Sequence, residues 1–204
     1  MMERYQGIKF HCTNSGSGFT YDGRLDALNR WAWIFSQLNL APEHLEGAYG
    51  NFSYRNRGTS FIITKSRMIP SRRLKPENYS LIEDFEAKTN TFLISGANEP
   101  SSESFLHDRI YRQYADVQAI LHGHFELFST WASVLEIPVT QSFADYGTPA
   151  LAESALDIIS ATNQLILLKD HGFVALGESI ASAGCLVLKT FREMLARIEK
   201  EELD

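Results

Sequence analysis

Cysteine is scarce. The 204 residues contain two, Cys12 and Cys185. They are too far apart to read as a metal-spaced pair and too few for a disulfide framework, a usage that fits a reducing cytoplasm. Long apolar runs are missing too, so a membrane-spanning helix is not expected. The opening MMERYQGIKFHC has no apolar stretch of the signal-peptide kind. Positive charge is in deficit, with 19 lysines and arginines against 25 aspartates and glutamates. Such a chain gives no reason to expect nucleic acid, and any anionic ligand must be held by local amides and a few arginines. Internal repeats and low-complexity segments are also lacking. What is present, 44% hydrophobic residues in a chain of this length, suffices for one domain with a real core.

Residues 1–23 read as an N-terminal arm, with IKFHC as a short strand and NSGSG as a loop. From Arg24 to Leu40, apolar residues recur at helical offsets (Leu25, Leu28, Trp31, Ala32, Phe35), which predicts an amphipathic helix ended by Leu40-Ala41-Pro42. GNFSYR (50–55) and FIIT (61–64) read as two strands joined by a turn, and Thr91–Ser95 as another. Ser101-Ser102-Glu103 opens a helix to about Tyr114, with a serine at its cap. A helix is expected over Phe125–Leu135, followed by an edge piece at Ile137-Pro138-Val139. Thr148-Pro149 starts a helix to about Ala161. Strands are expected at Leu165–Lys169 and Phe173–Leu176, and a final helix over Glu178–Glu201. The pattern is α/β, one sheet with helices on both faces.

The stretch VQAILHGH (117–124) carries the chemistry. In an extended chain His122 and His124 project to one face, and Gly123 takes the other with no side chain to clash. Two imidazoles at that spacing suit one cation. His171 ends a further apolar run, and Glu103 sits in the serine turn before a helix. Three histidines and a carboxylate make a suitable ligand set for Zn2+ or a similar divalent metal. Each residue also has a bland reading. An isolated strand-end histidine is usually just hydrogen-bonded, and Glu103 alone is an ordinary first-turn acid favoured by the helix dipole. His107 is either a group supporting the ligands or a buried histidine; His11 and His44 have no motif context. Ser101 and Ser102 at a helix start offer an anion site. Gly50 and Asn51 offer close backbone approach and an amide. With the loop Thr64-Lys65-Ser66-Arg67 they would form a phosphate pocket beside the metal.

These motifs in this order, GNFSYR, FIITKS, PSSESFLHDRIYRQYADVQAILHGH, YGTPALAES and LLKDHGFVALGESIASA, resemble the class II aldolase/adducin family, and within it the fuculose-phosphate aldolase group. The resemblance runs from about Arg24 to Ala196, within a domain taken as 24–204. It implies a three-layer α/β/α sandwich around a nine-stranded, mostly antiparallel sheet, and a cytoplasmic homotetramer acting on a small phosphorylated sugar. It places His122, His124 and His171 on the zinc ligands and Glu103 on the ligand or acid–base glutamate. Gly50, Asn51, Ser101 and Ser102 fall on substrate contacts, with Thr64 and Arg67 on the phosphate loop. The implied reaction is retro-aldol cleavage of a ketose phosphate. A methylthioribulose-phosphate dehydratase, a 4-epimerase and a non-catalytic adducin-like interaction module are the alternatives. The family usually has glycine where Arg67 stands. The segment between Pro138 and Tyr146 is shorter than in the fuculose-phosphate enzyme, and Tyr146 does not fall on that enzyme's active-site tyrosine.

Overall fold

The computed structural model describes residues 7–16 and 18–201. Of the expected arm, residues 1–6 and 17 lie outside the described residues, as do residues 202–204 of the expected domain. In chain order the strands are β1 (His11–Asn14), β2 (Glu43–His44), β3 (Gly47–Ala48), β4 (Gly50–Arg55), β5 (Phe61–Thr64), β6 (Tyr79–Glu86), β7 (Thr91–Ser95), β8 (Ala119–Gly123), β9 (Leu165–Leu168) and β10 (Gly172–Gly177). The helices are α1 (Gly23–Gln37), α2 (Ser104–Gln113), α3 (Glu126–Thr130), α4 (Pro149–Leu156) and α5 (Ile180–Glu201). Eight strands form one sheet in the order β1-β7-β6-β5-β4-β8-β10-β9, while β2 and β3 make a separate small hairpin. Every pairing in the large sheet is antiparallel except β1 with β7.

The sheet's alternating side chains divide the core into two layers. On one face Phe52, Tyr54, Leu121, Phe173 and Ala175 pack with Leu25, Leu28 and Phe35 of α1 and Val187 of α5. On the other, Ile63, Ile120, Ile166 and Val174 pack with Leu106 and Ile110 of α2 and Leu151 and Ala155 of α4. The expected three-layer α/β/α sandwich with a mostly antiparallel sheet is therefore present. The sheet has eight strands among the described residues, one fewer than the resemblance implied. Beyond the β9 edge, the Ile137-Pro138-Val139 piece contributes a single parallel bridge, Val139 to Leu167.

Several elements differ from the sequence reading. Within the segment read as an arm, the short strand expected at IKFHC lies further along, at His11–Asn14, and joins the sheet as β1, an edge strand in register with β7 from His11–Thr91 to Asn14–Ile94. β6 was not expected, because a register shift between Ile82 and Asp84 interrupts its alternation and its outer half is exposed. Two helices are shorter than their apolar patterns suggest. α3 gives way to turns before Glu136, which has a positive φ of 54°. α4 stops at Leu156, beyond which the Asn163 amide donates to the Ile158 carbonyl. Its start is as expected, with Thr148 Oγ1 accepting from the Leu151 amide and Pro149 in the first turn. No described helix is long and apolar enough to cross a membrane. Both cysteines are free thiols.

Candidate metal centre and substrate pocket

β8 is central, flanked by β4 and β10. Ile120 packs in the α2/α4 layer and Leu121 in the α1/α5 layer, so His122 faces α2 and Gly123 faces α1. A Cβ on Gly123 would meet the Leu40 carbonyl oxygen and lie 2.7 Å from the Phe173 ring. A glycine between the histidines is thus a packing requirement. Across the neighbouring strand, a Cβ on Gly50, at φ +125°, would lie 2.5 Å from the His122 carbonyl oxygen. Both glycines let the backbone close around the histidine strand.

Glu103, His122, His124 and His171 bring one ligand atom each to within 4.8 Å of one another. Glu103 Oε1 is 2.8 Å from His171 Nε2, and Oε2 is 3.1 Å from His122 Nε2. His122 Nε2 also lies 3.1 Å from His124 Nε2. His122 Nδ1 is 2.7 Å from the Phe173 carbonyl oxygen. A carbonyl only accepts, so Nδ1 carries the proton and donates it, and in the neutral ring Nε2 presents a lone pair. That lone pair faces a carboxylate oxygen and a second imidazole nitrogen. Convergent acceptors of this kind call for a proton or a metal cation between them. Neutral imidazoles and a carboxylate are the donors that zinc and similar divalent ions take, and the Phe173 carbonyl orients His122 as metal-bound histidines are usually oriented. The residues present therefore fit a divalent metal.

The electrostatics agree. Burial works to raise the Glu103 pKa, but the facing His122 and His171 outweigh it and hold the carboxyl well below the usual range. Burial, with His122 and His171 alongside, holds His124 well below the ordinary imidazole value. Both groups are thereby kept in the forms that bind metal.

α2 carries Glu103 at its N-terminal boundary, and the outward face of β4 holds that helix in place. Asn51 donates to Glu103 Oε2 at 2.7 Å. Ser53 Oγ hydrogen-bonds with His107 Nδ1 at 2.7 Å and with the Tyr111 hydroxyl at 2.8 Å. The Arg55 guanidinium donates to the carbonyls of Tyr111 and Tyr114 at 2.9 and 2.7 Å, satisfying the helix C-terminus. Three alternate residues of GNFSYR thus set the helix that carries the carboxylate. His107 is fully buried, and burial lowers its pKa to about 3. It belongs to this support and lies outside the four-residue ligand group. The expected serine cap takes a modified form. Glu103 occupies the cap position, and Ser101 Oγ accepts from the Glu103 amide at 3.3 Å.

The cluster opens into a pocket of about 640 Å³, counting its open mouth. Glu103, His124 and His171 line it, together with Gly50, Asn51, Ser101, Ser102 and Arg67 from the sequence reading. The loop after β5 and the serine turn form one wall. The Ser101 amide donates to the Thr64 carbonyl at 3.0 Å and the Ser66 amide to the Glu99 carbonyl at 3.0 Å. Thr64 sits otherwise than expected. It does not line the pocket, and its Oγ1 accepts from the Phe52 amide at 3.2 Å within the sheet, so its part is to join the wall to β4. Arg67 has a φ of +54°, the left-handed region that favours glycine, and its guanidinium lies 3.9 Å from Glu46 of the β2–β3 hairpin.

The sequence reading gave no role to His44, Tyr49 or Tyr146, and all three line the pocket. His44 packs on Tyr49 with ring centroids 4.5 Å apart, and Tyr49 lies 5.3 Å from His124. The only sequence signal for Tyr49 was its place just before Gly50. The hairpin that delivers His44 has no pattern of its own.

Comparison with known proteins agrees with this picture. The profile of the class II aldolase and adducin N-terminal domain matches residues 32–190. A 5-deoxy-D-ribulose 1-phosphate aldolase of Bacillus thuringiensis is 27% identical, over 68% of each chain. An L-fuculose phosphate aldolase of Methanococcus maripaludis is 28% identical over 69% of this chain and 79% of its own. A methylthioribulose-1-phosphate dehydratase of Methylococcus capsulatus is 26% identical over 66% of this chain and 74% of its own. Among solved structures, an L-fuculose 1-phosphate aldolase superposes with a TM-score of 0.70 at 21% identity, covering 92% of this chain and 91% of that one, a likeness of fold. With its profile matched over most of the length, the chain belongs to the class II aldolase and adducin N-terminal domain family.

Proposed function

We propose that this protein is a metal-dependent aldolase that cleaves a small ketose phosphate by a retro-aldol reaction. The observation that carries the reading is the buried cluster of three imidazoles and one carboxylate at a pocket whose wall presents two serines, Lys65 and Arg67. Two aldolases among the relatives support it. In this reading His122, His124 and His171 hold the metal, with Glu103 beside them as fourth donor or proton carrier. Once bound, a divalent cation supplies Lewis-acid stabilisation of the negative charge that develops on the substrate's carbonyl and adjacent hydroxyl oxygens.

The protein's own residues do the rest. Ser101, Ser102, Asn51 and Arg67 bind the phosphate and neighbouring oxygens, and that binding supplies orientation away from the bond that breaks. When that bond breaks, the hydroxyl of the departing fragment gives up its proton as the fragment leaves as an aldehyde, and the retained carbon must gain one. Glu103 carries that proton, and Asn51 aims its carboxyl group through Nδ2. Arg67 grips phosphate through paired donors that a glycine amide lacks. Zinc as the metal, a homotetramer, residues 24–204 as the family domain and a cytoplasmic location belong to the same reading.

A dehydratase relative keeps a second reading in view. One experiment separates them. The metal-loaded protein is incubated with a panel of ketose 1-phosphates and methylthioribulose 1-phosphate, and the products are identified by mass spectrometry. Release of an aldehyde together with dihydroxyacetone phosphate supports the aldolase. Loss of water with the carbon chain intact assigns a dehydratase. No turnover of any panel member by the metal-loaded protein overturns both and leaves the interaction-module reading.

A further inference from the structure

The family profile begins at residue 32, yet residues well before it pack against a residue that lines the pocket. Tyr146, which lines the pocket, is 5% exposed. Its hydroxyl donates to the Gly7 carbonyl at 3.0 Å, and the Lys9 ammonium sits 4.2 Å from the centre of its ring. The segment that supplies these partners is anchored. Phe10 is buried and packs edge-on against Phe92 with ring centroids 4.8 Å apart. Asn90 Nδ2 donates to the Lys9 carbonyl at 2.9 Å, the His11 amide donates to the Asn90 carbonyl at 2.9 Å, and β1 then joins the sheet edge. On its other side Tyr146 adjoins the serine turn. Gly147 adopts φ +65°, and a Cβ there would lie 2.6 Å from the Ser102 carbonyl oxygen and 3.9 Å from Lys9 Cδ. Lys9, Tyr146 and the Ser101-Ser102 turn are therefore consecutive layers of one wall.

We infer that residues 7–10 brace the substrate pocket of this chain from behind its lining, with Tyr146 as a specificity-determining wall and Lys9 and Gly7 as the residues that position it. The inference rests on the sugar-phosphate reading above for the nature of the ligand, and on contacts outside the family profile for the role of the segment. A cation over an aromatic face fixes the ring and adds positive potential beside the anion-binding turn. Because the Tyr146 proton is donated to Gly7, the tyrosine acts here by shape and placement and not as a proton donor to substrate.

The test is a calorimetric titration of dihydroxyacetone phosphate into the metal-loaded full chain, as wild type, Lys9→Met, Lys9→Arg and Tyr146→Phe. Lys9→Met should weaken binding about three- to tenfold, the scale of one cation–π contact. Tyr146→Phe should weaken it by a similar factor, and Lys9→Arg should restore wild-type affinity. Thermal midpoints are measured alongside. A variant that is merely less stable, with its affinity unchanged, speaks against the inference. Lys9→Met and Tyr146→Phe both binding as wild type overturns it. Weakening by Lys9→Met alone, with Tyr146→Phe at wild-type affinity, makes Lys9 a bulk charge and overturns the positioning role. Failure of the wild type itself to bind the probe overturns the aldolase reading, and this inference with it.

Discussion

Gly123→Ala adds one methyl group between His122 of β8 and His124 just beyond its end, on the face away from the ligand cluster. In the described geometry that carbon would meet the Leu40 carbonyl oxygen and lie 2.7 and 2.9 Å from two atoms of the Phe173 ring. Neither neighbour gives way easily. The Leu40 and Ala41 amides both donate to the Phe35 carbonyl, at 2.8 and 3.2 Å. Phe173 is fully buried against Phe35 and Phe128. Overpacking a tight site costs about 1–3 kcal/mol, and a backbone obstacle puts this one in the upper half, about 2–3 kcal/mol. For a chain of this size that lowers the melting temperature by roughly 5–10 °C. The alternative to local strain is outward movement of β8, which displaces His122 and His124 and weakens metal binding about tenfold or more, as when a ligand's supporting contacts are lost. Urea unfolding of the metal-free protein reads the first effect, and competition with a zinc chelator reads the second. Gly18→Ala, where an added Cβ meets nothing within 4 Å, is the control. If Gly123→Ala loses less than about 0.5 kcal/mol, the range of ordinary surface substitutions, and keeps its metal affinity, the packing argument for this glycine is wrong.

Further outcomes follow from the same geometry. His122→Ala should remove most of the bound divalent ion, measured by plasma mass spectrometry; one ion per chain retained in a His122/His124 double variant would refute the metal centre. Glu103→Gln should keep fold and metal but lose about 10²-fold or more in kcat, the scale of general acid–base catalysis; near-normal turnover would remove Glu103 from that role. Arg67→Ala should raise KM for a phosphorylated substrate by the equivalent of about 1.5–3 kcal/mol, the worth of a charge-assisted hydrogen bond, with metal content unchanged; an unaltered KM would make the side chain a bystander. His107, lowered by burial to about 3, stays neutral in the folded state at pH values where the unfolded chain takes up a proton. Its contribution is therefore complete above about pH 6.5 and is lost as pH falls toward 3. Metal-free His107→Gln should show a shallower loss of stability over that window, and parallel pH profiles would contradict this account.

What could be read in the sequence was what is local in the chain. His122 and His124 share a face because a strand alternates, and Gly123 is there because the opposite face is full. The alternation of GNFSYR likewise distinguishes Phe52 and Tyr54, which go into the α1/α5 layer, from Asn51, Ser53 and Arg55, which hold α2. The pocket wall was harder to read because it is assembled across the sheet from segments without periodicity. The Ser101 amide meets the Thr64 carbonyl, Tyr146 meets Gly7, and the hairpin at residues 43–48 brings His44 to Tyr49. None of these contacts leaves a repeating pattern in either partner. A short strand could be read near IKFHC, but residues 1–23 still read as an arm because the pairing of that strand with β7 is a property of two distant segments. Arg67 shows where the two kinds of information meet. The departure from the family's glycine was visible in the sequence, but its meaning was not. The backbone there is left-handed, at φ +54°, which explains a glycine preference on conformational grounds alone. A non-glycine residue in that region carries a cost of about 1–2 kcal/mol. A conformational cost borne at the pocket lining, by the residue type best suited to grip phosphate, is the physical reason to look for the arginine's role in substrate binding and not in folding.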